Sequence, residues 1–231
     1  MKIYFVRHGH PNYENDCLTP LGHMQAEAAA ERLKDFGIET IYSSTKGRAL
    51  QTAQHTADKT GLDVIPCEFI REIGWKSTDP DFVMPHNGNP WKLARHFDEL
   101  GIDLLAANWR EKEPYSKSDL IRTCKRVIEG TDAWLHELGY QREGDYYRVI
   151  REDTKNAVAM FSHGGASSAV LSHMFNIPFP QFCGAFHIDF TSITLVELEG
   201  EIGELIYPKF IYAGDHTHIL SLEEAECTYS S

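Results

Sequence analysis

The chain has 231 residues, of which 42% are hydrophobic and 24% charged, and this ordinary globular composition excludes a disordered chain and a fibre. The length predicts one domain over residues 1–231, with room for an insertion. The 22 Lys and Arg against 34 Asp and Glu give a net charge of −12, which disfavours nucleic acid and anionic membranes as partners. An anionic substrate therefore needs a local cluster of Arg and His.

The five cysteines are scattered and form no Cys-x-x-Cys pair. Scattered thiols in odd number predict reduced cysteines in a cytoplasmic protein rather than a disulfide framework or a zinc knuckle. The first apolar run, Ile3 to Val6, is too short for a signal peptide, and no run approaches the roughly 18 apolar residues of a membrane span. The sequence leaves the oligomeric state unassigned.

The N-terminal part of the chain alternates short apolar runs with longer segments of helix-forming residues. In chain order we predict strand Ile3–Val6, helix Leu21–Phe36, strand Thr40–Ser43, helix Lys46–Thr60 and strand Val64–Ile65. Thr19 and Thr45 precede the two helices and are predicted to cap them, while Gly37 and Gly61 end them. Two successive strand–helix units predict an α/β fold with a mainly parallel sheet.

Residues 75–115 are polar and rich in turn residues, and we interpret them as an inserted cap, or lid, over the sheet edge. The α/β pattern returns later in the chain. We predict helices Pro90–Leu100 and Lys117–Leu138, hairpin Tyr140–Ile150, strand Ala157–Phe161, helix Ala166–Phe175, and strands Ile193–Glu197 and Leu205–Ile211. These elements together predict a three-layer α/β/α sandwich with a mainly parallel central sheet and an inserted cap region.

A polar turn follows each of three predicted strands. The turns are Arg7-His8-Gly9, Ser43-Ser44-Thr45 with Arg48 one helical turn later, and Ser162-His163-Gly164-Gly165. Because the carboxyl ends of parallel strands share one sheet edge, two His and two Arg are expected to converge there. Arg binds phosphate through two parallel hydrogen bonds, and the N–H groups of a glycine turn add fixed donors. The pattern therefore predicts a phosphoryl-binding pocket.

These motifs, in this order, resemble those of the histidine phosphatase superfamily, also called the phosphoglycerate mutase-like family. The resemblance rests on Arg7-His8-Gly9, Leu18-Thr19-Pro20-Leu21-Gly22, Ser44-x-x-x-Arg48-Ala49-x-Gln51-Thr52-Ala53 and Ser162-His163-Gly164-Gly165. It covers residues 1–75 and 157–198. It implies a metal-independent phosphomonoester phosphatase that acts on a small phosphorylated substrate without a cofactor.

The resemblance also implies a role for each residue of the pocket. His8 is the nucleophile whose imidazole attacks phosphorus and forms a phosphohistidine, provided that its ring is neutral and a carbonyl such as that of the next residue holds its other nitrogen. Arg7, Arg48 and His163 match the phosphate pocket and stabilise the charge of the transition state. The amide of Gly164 is a further donor to the phosphoryl group.

A general acid is implied after the third strand, where Arg71-Glu72-Ile73-Gly74 fits the position. Glu72 is expected to protonate the leaving group and then to activate water, with its pKa raised by burial near the bound phosphate. Glu68 lies nearby in the sequence, and Asp79 and Asp81 in the insertion are substitute acids.

Several departures from the mutases of this family favour a phosphatase. His10 stands where the family often carries Glu or Gln, and the Trp-Asn pair of the glycolytic mutases is missing. Asn12 or Asn15 is a candidate to replace that Asn contact with the substrate. The insertion also lacks the proline-rich signature of the mutases. Phosphoglycerate mutase-type phosphotransfer is the first alternative, and a non-catalytic phospho-ligand binder is the second.

A metal site is a rival interpretation of the same histidines. His8-x-His10 is similar to the first ligand pair of amidohydrolase barrels, and His216 and His218 are available as further ligands for zinc. However, 231 residues are few for a (β/α)₈ barrel with its loops. The arginines of the strand-end turns would also repel a cation.

The insertion offers candidates for a leaving-group pocket but no motif. His86, Trp91, Arg95 and His96 lie there. Arg95 and His96 fit a solvated helix face better than a ligand contact, so the sequence leaves the substrate open.

Overall fold

The computed structural model describes residues 1–151 and 157–220. Eleven strands lie in these ranges. In chain order they are β1 (Lys2–Arg7), β2 (Pro11–Asn12), β3 (Cys17–Leu18), β4 (Thr40–Ser44), β5 (Val64–Cys67), β6 (Tyr140–Glu143), β7 (Tyr146–Val149), β8 (Ala157–Ser162), β9 (Ile193–Glu197), β10 (Leu205–Ile206) and β11 (Lys209–Asp215).

Six α-helices lie in the same described ranges. They are α1 (Pro20–Leu33), α2 (Gly47–Thr60), α3 (Leu93–Glu99), α4 (Leu120–Glu137), α5 (Gly164–Met174) and α6 (Phe179–Ala185). All five predicted helices are confirmed, with ends shifted by a few residues. Helix α6 was not predicted.

The central sheet has six strands in the order β11-β9-β1-β8-β4-β5. Strands β1, β8, β4 and β5 are parallel to one another, whereas β9 runs antiparallel to both β1 and β11. The prediction of a mainly parallel sheet is confirmed, and the one strand of opposite direction, β9, lies between β11 and β1.

The two faces of the sheet bury alternate residues of each strand, as the period of two along a strand requires. On one face Tyr4 and Val6 pack with Ala53 of α2 and Leu33 of α1. On the other face Ile3, Phe5 and their neighbours pack with residues of α4, α5 and α6. The molecule therefore has three layers, which confirms the predicted α/β/α sandwich.

The two predicted helix caps have different outcomes. Thr19 caps α1, because its hydroxyl accepts the N–H of Gly22 and Pro20 opens the first turn. The prediction for Thr45 is wrong, since α2 has no side-chain cap and the Thr45 hydroxyl instead donates to Glu68.

Residues 75–115 add no strand to the central sheet. They contain α3 and short 3-10 turns, among them Pro85–Gly88 and Pro90–Lys92. The carboxamide oxygen of Asn89 accepts the N–H of Trp91 and caps the predicted helix, which begins as a 3-10 turn and continues as α3. Residues 75–115 are thus a turn-rich segment, and their role as an inserted lid stays a prediction.

The end of the chain differs from prediction at one element. The predicted strand Leu205–Ile211 is two strands, because β10 pairs with β7 of the hairpin while β11 pairs with β9 in the central sheet. The residues between them carry the chain from one sheet to the other. The predicted hairpin is confirmed as β6 and β7.

No helix in the described ranges is long and apolar enough to cross a membrane. Four cysteines of these ranges are free thiols, Cys17, Cys67, Cys124 and Cys183. The fifth, Cys227, lies outside the described residues.

Candidate active site

The carboxyl ends of three parallel strands bring the predicted site residues together. Arg7 at the end of β1 pairs with Ser162 of β8, and Ser43 of β4 pairs with Phe161 of β8. The turns that follow these strands therefore lie side by side at one edge of the sheet. We call the following residues the strand-end pocket: Arg7, His8, Arg48, Glu72 and His163.

His8 is held as a neutral imidazole with a defined tautomer. Its Nδ1 lies 2.7 Å from the carbonyl oxygen of Gly9, which only accepts, so Nδ1 carries the proton. Its Nε2 lies 3.2 Å from Nε of Arg48, which only donates, so Nε2 presents a lone pair. The side chain is 1% exposed, and burial, helped by the charges of Arg7 and Arg48, lowers the pKa of His8 to about 3. The ring is thus a free base at neutral pH.

Two glycines allow the turn after β1 to pack against the start of α1. A Cβ built on Gly9 would lie 2.5 Å from the carbonyl oxygen of Gly22, and one on Gly22 would lie 2.2 Å from that of His10. Neither position tolerates a side chain without backbone movement. The close approach explains why Gly9 and Gly22 occur in the two N-terminal motifs, and it fixes the carbonyl that orients His8.

Arg48 is held by a residue that the sequence did not single out. The Asp16 carboxylate accepts a hydrogen bond from Nη1 of Arg48 and another, at 3.1 Å, from the N–H of Gly47. Burial opposes ionisation, but these donors and the charges of Arg48 and Lys46 lower the pKa of Asp16. Asp16 sits in the turn between β2 and β3, and no motif there points to Arg48. Only the folded chain shows that the two residues meet.

Arg7 is anchored from the opposite side of the pocket. Its Nη1 donates to the carbonyl of Ile188 at 2.6 Å, and its guanidinium carbon lies 4.1 Å from the centre of the Phe190 ring. Phe190 also contacts the ring of His8, with ring centres 5.7 Å apart. The sequence did not identify Phe190, because it lies between α6 and β9, far from the motifs along the chain.

Two buried polar atoms of the pocket lack hydrogen-bond partners among the described residues. They are Nε of Arg7 and Nδ1 of His163. Nε2 of His163 lies 2.8 Å from the hydroxyl of Ser44, and burial, followed by the neighbouring His8 and the charges of the arginines, holds the pKa of His163 well below its usual range. In the tautomer whose Nε2 accepts the Ser44 hydroxyl proton, the neutral ring carries its own proton on Nδ1. Both unpartnered atoms are then donors, which suits the oxygens of an anion.

Glu72 projects from the loop after β5 towards the start of α5. Its Oε1 accepts the N–H groups of Ile73 at 3.0 Å and of Ala166 at 2.9 Å. Burial of the carboxyl outweighs these donors and the nearby arginines, so the pKa of Glu72 is raised. Arg126 of α4 fixes the loop by donating to the carbonyls of Arg71 and Glu72. A carboxyl in this setting retains its proton to higher pH than an exposed one.

The alternative acids lie in other surroundings. Glu68 is exposed and bonds to Thr45 and Arg71. Asp79 forms an ion pair with Lys117 at 2.6 Å, and Asp81 is exposed. Of the four candidate acids, Glu72 is therefore the one whose carboxyl lies at the strand-end pocket.

Gly164 and Asn12 were predicted to contact the substrate. Gly164 begins α5, and a Cβ on it would lie 3.6 Å from the guanidinium carbon of Arg7 and 3.4 Å from the Trp91 ring, so its backbone borders the pocket. The Asn12 oxygen instead accepts the N–H groups of Glu14 and Asn15 within its own turn. With its oxygen engaged in these two hydrogen bonds, the Asn12 side chain has its amide nitrogen left to contact a ligand. Substrate binding by Asn12 stays a prediction.

The histidines of the rival metal site do not meet. Nδ1 of His10 bonds to the Thr19 hydroxyl, while His216 and His218 bond to Gly214 and Thr191. Within residues 1–151 and 157–220, the one group of three potential ligands lies in the insertion instead. The pattern His8-x-His10 therefore does not form the ligand pair of an amidohydrolase.

Comparison with known proteins identifies the family. The family described as the histidine phosphatase superfamily (branch 1) matches residues 3–84. A relative from Enterobacter sp. (strain 638), named "Probable phosphoglycerate mutase GpmB", is 35% identical over 230 residues, which cover 90% of this chain and 96% of the relative. The chain belongs to the histidine phosphatase superfamily, and the resemblance of the motifs is confirmed.

Other similar proteins include named phosphatases. A protein of Hydrogenobacter thermophilus, named "Putative phosphoserine phosphatase 2", is 23% identical over 89% of this chain and 94% of its own length. Among solved structures, a phosphoserine phosphatase variant of Entamoeba histolytica bound to phosphoserine has a TM-score of 0.62, with 19% identity and coverage of 95% of this chain and 99% of that one. A mycobacterial glucosyl-3-phosphoglycerate phosphatase also has a TM-score of 0.62, with 20% identity over 92% of this chain and 98% of its own. These structures show the same fold.

Proposed function

We propose that this histidine phosphatase hydrolyses a small phosphomonoester through a phosphohistidine on His8, without a metal or cofactor. The observation that carries the proposal is the state of the His8 ring. Its Nδ1 proton is committed to the Gly9 carbonyl, and its Nε2 lone pair lies in a pocket that also contains two arginines. A neutral nitrogen nucleophile beside fixed cations is the arrangement that phosphoryl transfer to histidine requires.

The first step transfers the phosphoryl group from substrate to enzyme. Nε2 of His8 forms a bond to phosphorus as the bond from phosphorus to the leaving oxygen breaks, and protonated Glu72 gives its proton to that oxygen. The imidazole gains positive charge, which its Nδ1–H shares with the Gly9 carbonyl. Arg7, Arg48 and His163 donate to the phosphoryl oxygens, and the unpartnered Nε of Arg7 and Nδ1 of His163 are available for this purpose.

The second step restores the enzyme. Glu72, now ionised, takes a proton from water as the water oxygen attacks phosphorus. The bond from Nε2 to phosphorus breaks, inorganic phosphate leaves, and both His8 and Glu72 return to their starting protonation states. The raised pKa of Glu72 suits a group that must be an acid in the first step and a base in the second.

Small phosphorylated acids are the substrate class that we propose. Relatives and structural neighbours are named for phosphoserine, phosphoglycerate and glucosyl-3-phosphoglycerate, all small phosphomonoesters with a carboxylate. The near-complete burial of His8 and His163 also suits a small ligand better than a phosphoprotein. We place the enzyme in the cytoplasm because the described cysteines are free thiols, and we assign it no nucleic-acid or membrane partner.

Mutase activity is the second candidate, and the 35% identical relative favours it. A mutase would use the same phosphohistidine but return the phosphoryl group to a second hydroxyl of the substrate. It would need a phosphorylated primer and would release little inorganic phosphate. Product analysis with 3-phosphoglycerate therefore separates the two activities.

Hydrolysis of p-nitrophenyl phosphate in EDTA tests the proposal, with wild type and His8→Ala assayed side by side. We expect turnover that survives EDTA and is lost in His8→Ala. Loss of wild-type turnover on chelation would contradict the metal-independent mechanism, and turnover by the variant would require another nucleophile. Absence of turnover in both proteins would favour the mutase or a phospho-ligand binder.

A further inference from the structure

We propose that the insertion contains a zinc-binding site formed by His86, His96 and Glu99. One potential ligand atom from each of these side chains lies within 4.8 Å of the other two, and no other such group of three occurs in the described parts of the chain. Two imidazoles and a carboxylate are a ligand set that zinc binds, and three protein ligands leave a fourth position for water or another small ligand.

The backbone holds the three ligands on two separate elements. His96 and Glu99 lie three residues apart on α3, so they share one face of that helix. His86 comes from the 3-10 turn Pro85–Gly88, and its ring centre lies 5.8 Å from that of His96. Ligands from a helix and from a turn upstream of it would be joined by the metal into one unit.

The ligand atoms must move closer together to complete the site. Tetrahedral zinc with bonds of about 2.0–2.1 Å places its ligand atoms roughly 3.3 Å apart, somewhat closer than the limit of 4.8 Å seen here. His86 and Glu99 are exposed, so their side chains are free to close this gap. Glu99 accepts a hydrogen bond from Nε of Arg95 at 2.8 Å, but Arg95 is 83% exposed and such a pair is readily exchanged for a metal.

The position of the site links it to the substrate side of the strand-end pocket. Between His86 and α3 the chain passes through Asn89 and Trp91, and the Asn89 side chain holds the N–H of Trp91 at 3.0 Å. The Trp91 ring borders Gly164 at the start of α5. Zinc bound across this segment would therefore stiffen the wall that Trp91 forms beside the phosphoryl site, without taking part in the chemistry of His8.

Zinc binding by the full-length protein tests the proposal directly. Metal-free wild type is titrated with zinc against a chromophoric chelator, beside His86→Ala, His96→Ala and the control His136→Ala, which removes an exposed histidine of α4 outside the group. We expect His86→Ala and His96→Ala each to lose one bound zinc ion, or to bind that ion at least about tenfold more weakly than wild type does. The control His136→Ala should match wild type. Equal binding by wild type and His96→Ala, or equal loss in His136→Ala, would overturn the site.

Amide hydrogen exchange tests the stiffening. At zinc concentrations near the wild-type Kd, zinc should slow exchange over residues 85–99 in wild type and slow it much less in Glu99→Gln, a variant that keeps the shape of the side chain. Slowing of equal size in both proteins would overturn the proposal. Neither measurement involves phosphatase activity, so the zinc site and the proposed function stand or fall separately.

Discussion

The strand-end pocket and the insertion are built in opposite ways. In the pocket, parallel strands end together, and the functional side chains are buried or half-buried and held by backbone carbonyls, a hydroxyl and a carboxylate. In the insertion, short turns and one two-turn helix present exposed side chains such as His86 and Arg95. The strand ends therefore fix the phosphoryl chemistry, whereas the insertion, anchored in the core by Leu93 and Phe97, presents exposed side chains where a leaving group would be selected.

Loss of the nucleophile should give the largest effect. His8→Ala is expected to lower kcat for p-nitrophenyl phosphate by roughly 10⁴-fold or more, in line with the loss of other enzymatic nucleophiles. Steady-state kinetics and circular dichroism on the same sample measure turnover and folding. Near-normal turnover by the folded variant would remove His8 from the mechanism.

Loss of the acid should depend on the leaving group. Glu72→Gln is expected to slow an alkyl phosphate such as phosphoserine by about 10²–10⁴-fold, because its alkoxide needs a proton to leave. p-Nitrophenyl phosphate should be affected far less, since its leaving group is stable as an anion. Comparison of kcat/KM for the two esters makes the measurement. Equal losses would contradict the assignment of Glu72.

The carboxylate behind Arg48 should matter less than the nucleophile but more than any residue of the insertion. Asp16→Asn keeps the size of the side chain and removes the charge that pairs with Arg48. Misplacement of the guanidinium is expected to lower kcat/KM by up to about 10²-fold. Asp63→Asn, at an exposed position before β5, is the matched control. An unchanged kcat/KM in Asp16→Asn would show that Arg48 needs no such anchor.

The pH dependence of kcat/KM should reflect the pKa shifts of the nucleophile His8 and the acid Glu72. The pKa of His8 is lowered to about 3, so the neutral nucleophile persists as pH falls and is lost only near that value. The pKa of Glu72 is raised, so its acid form persists above the usual range and is lost as pH rises through the raised value. Turnover of an alkyl phosphate should therefore fall on the alkaline side, and the fall should be absent in Glu72→Gln. The phosphate of the substrate also titrates, so its contribution to the pH profile is measured separately. An additional loss of kcat/KM at acid pH, centred near the ordinary histidine pKa of about 6.5, would contradict the neutral state of His8.

A change in the insertion should have the smallest effect on chemistry. Trp91→Ala removes a ring beside Gly164 and is expected to raise KM for a carboxylated substrate several-fold with little change in kcat. Kinetics with phosphoserine and p-nitrophenyl phosphate would separate binding from turnover. A large fall in kcat for both esters would mean that the insertion shapes the chemistry as well as the selection of substrate.

The same contrast explains how much the sequence alone could predict. Residues that lie at strand ends, such as His8 and His163, were located because parallel strands must end at one edge. Gly9 is part of a motif, and its carbonyl, which the sequence offers only as one candidate, is the one that holds the His8 ring. Local sequence patterns are sufficient to predict the positions of those side chains that the ends of parallel strands bring together.

Residues joined only by the tertiary structure were missed. Asp16 and Phe190 contact the pocket from turns that none of the motifs includes, and neither residue type nor spacing indicates the contact. Thr45 illustrates the opposite error, since a suitable capping residue found a better partner in Glu68. The grouping of His86 with His96 also depends on an irregular turn that periodicity does not predict.

Trapping of the phosphoenzyme tests the central claim most directly. Wild type mixed with substrate is quenched in alkali, where phosphohistidine persists, and digested for mass spectrometry beside His8→Ala. The mechanism predicts one added phosphoryl group on the peptide that contains His8, formed and lost at rates compatible with turnover. A phosphoryl group on another residue, or turnover with no phosphoenzyme at any quench time, would contradict it.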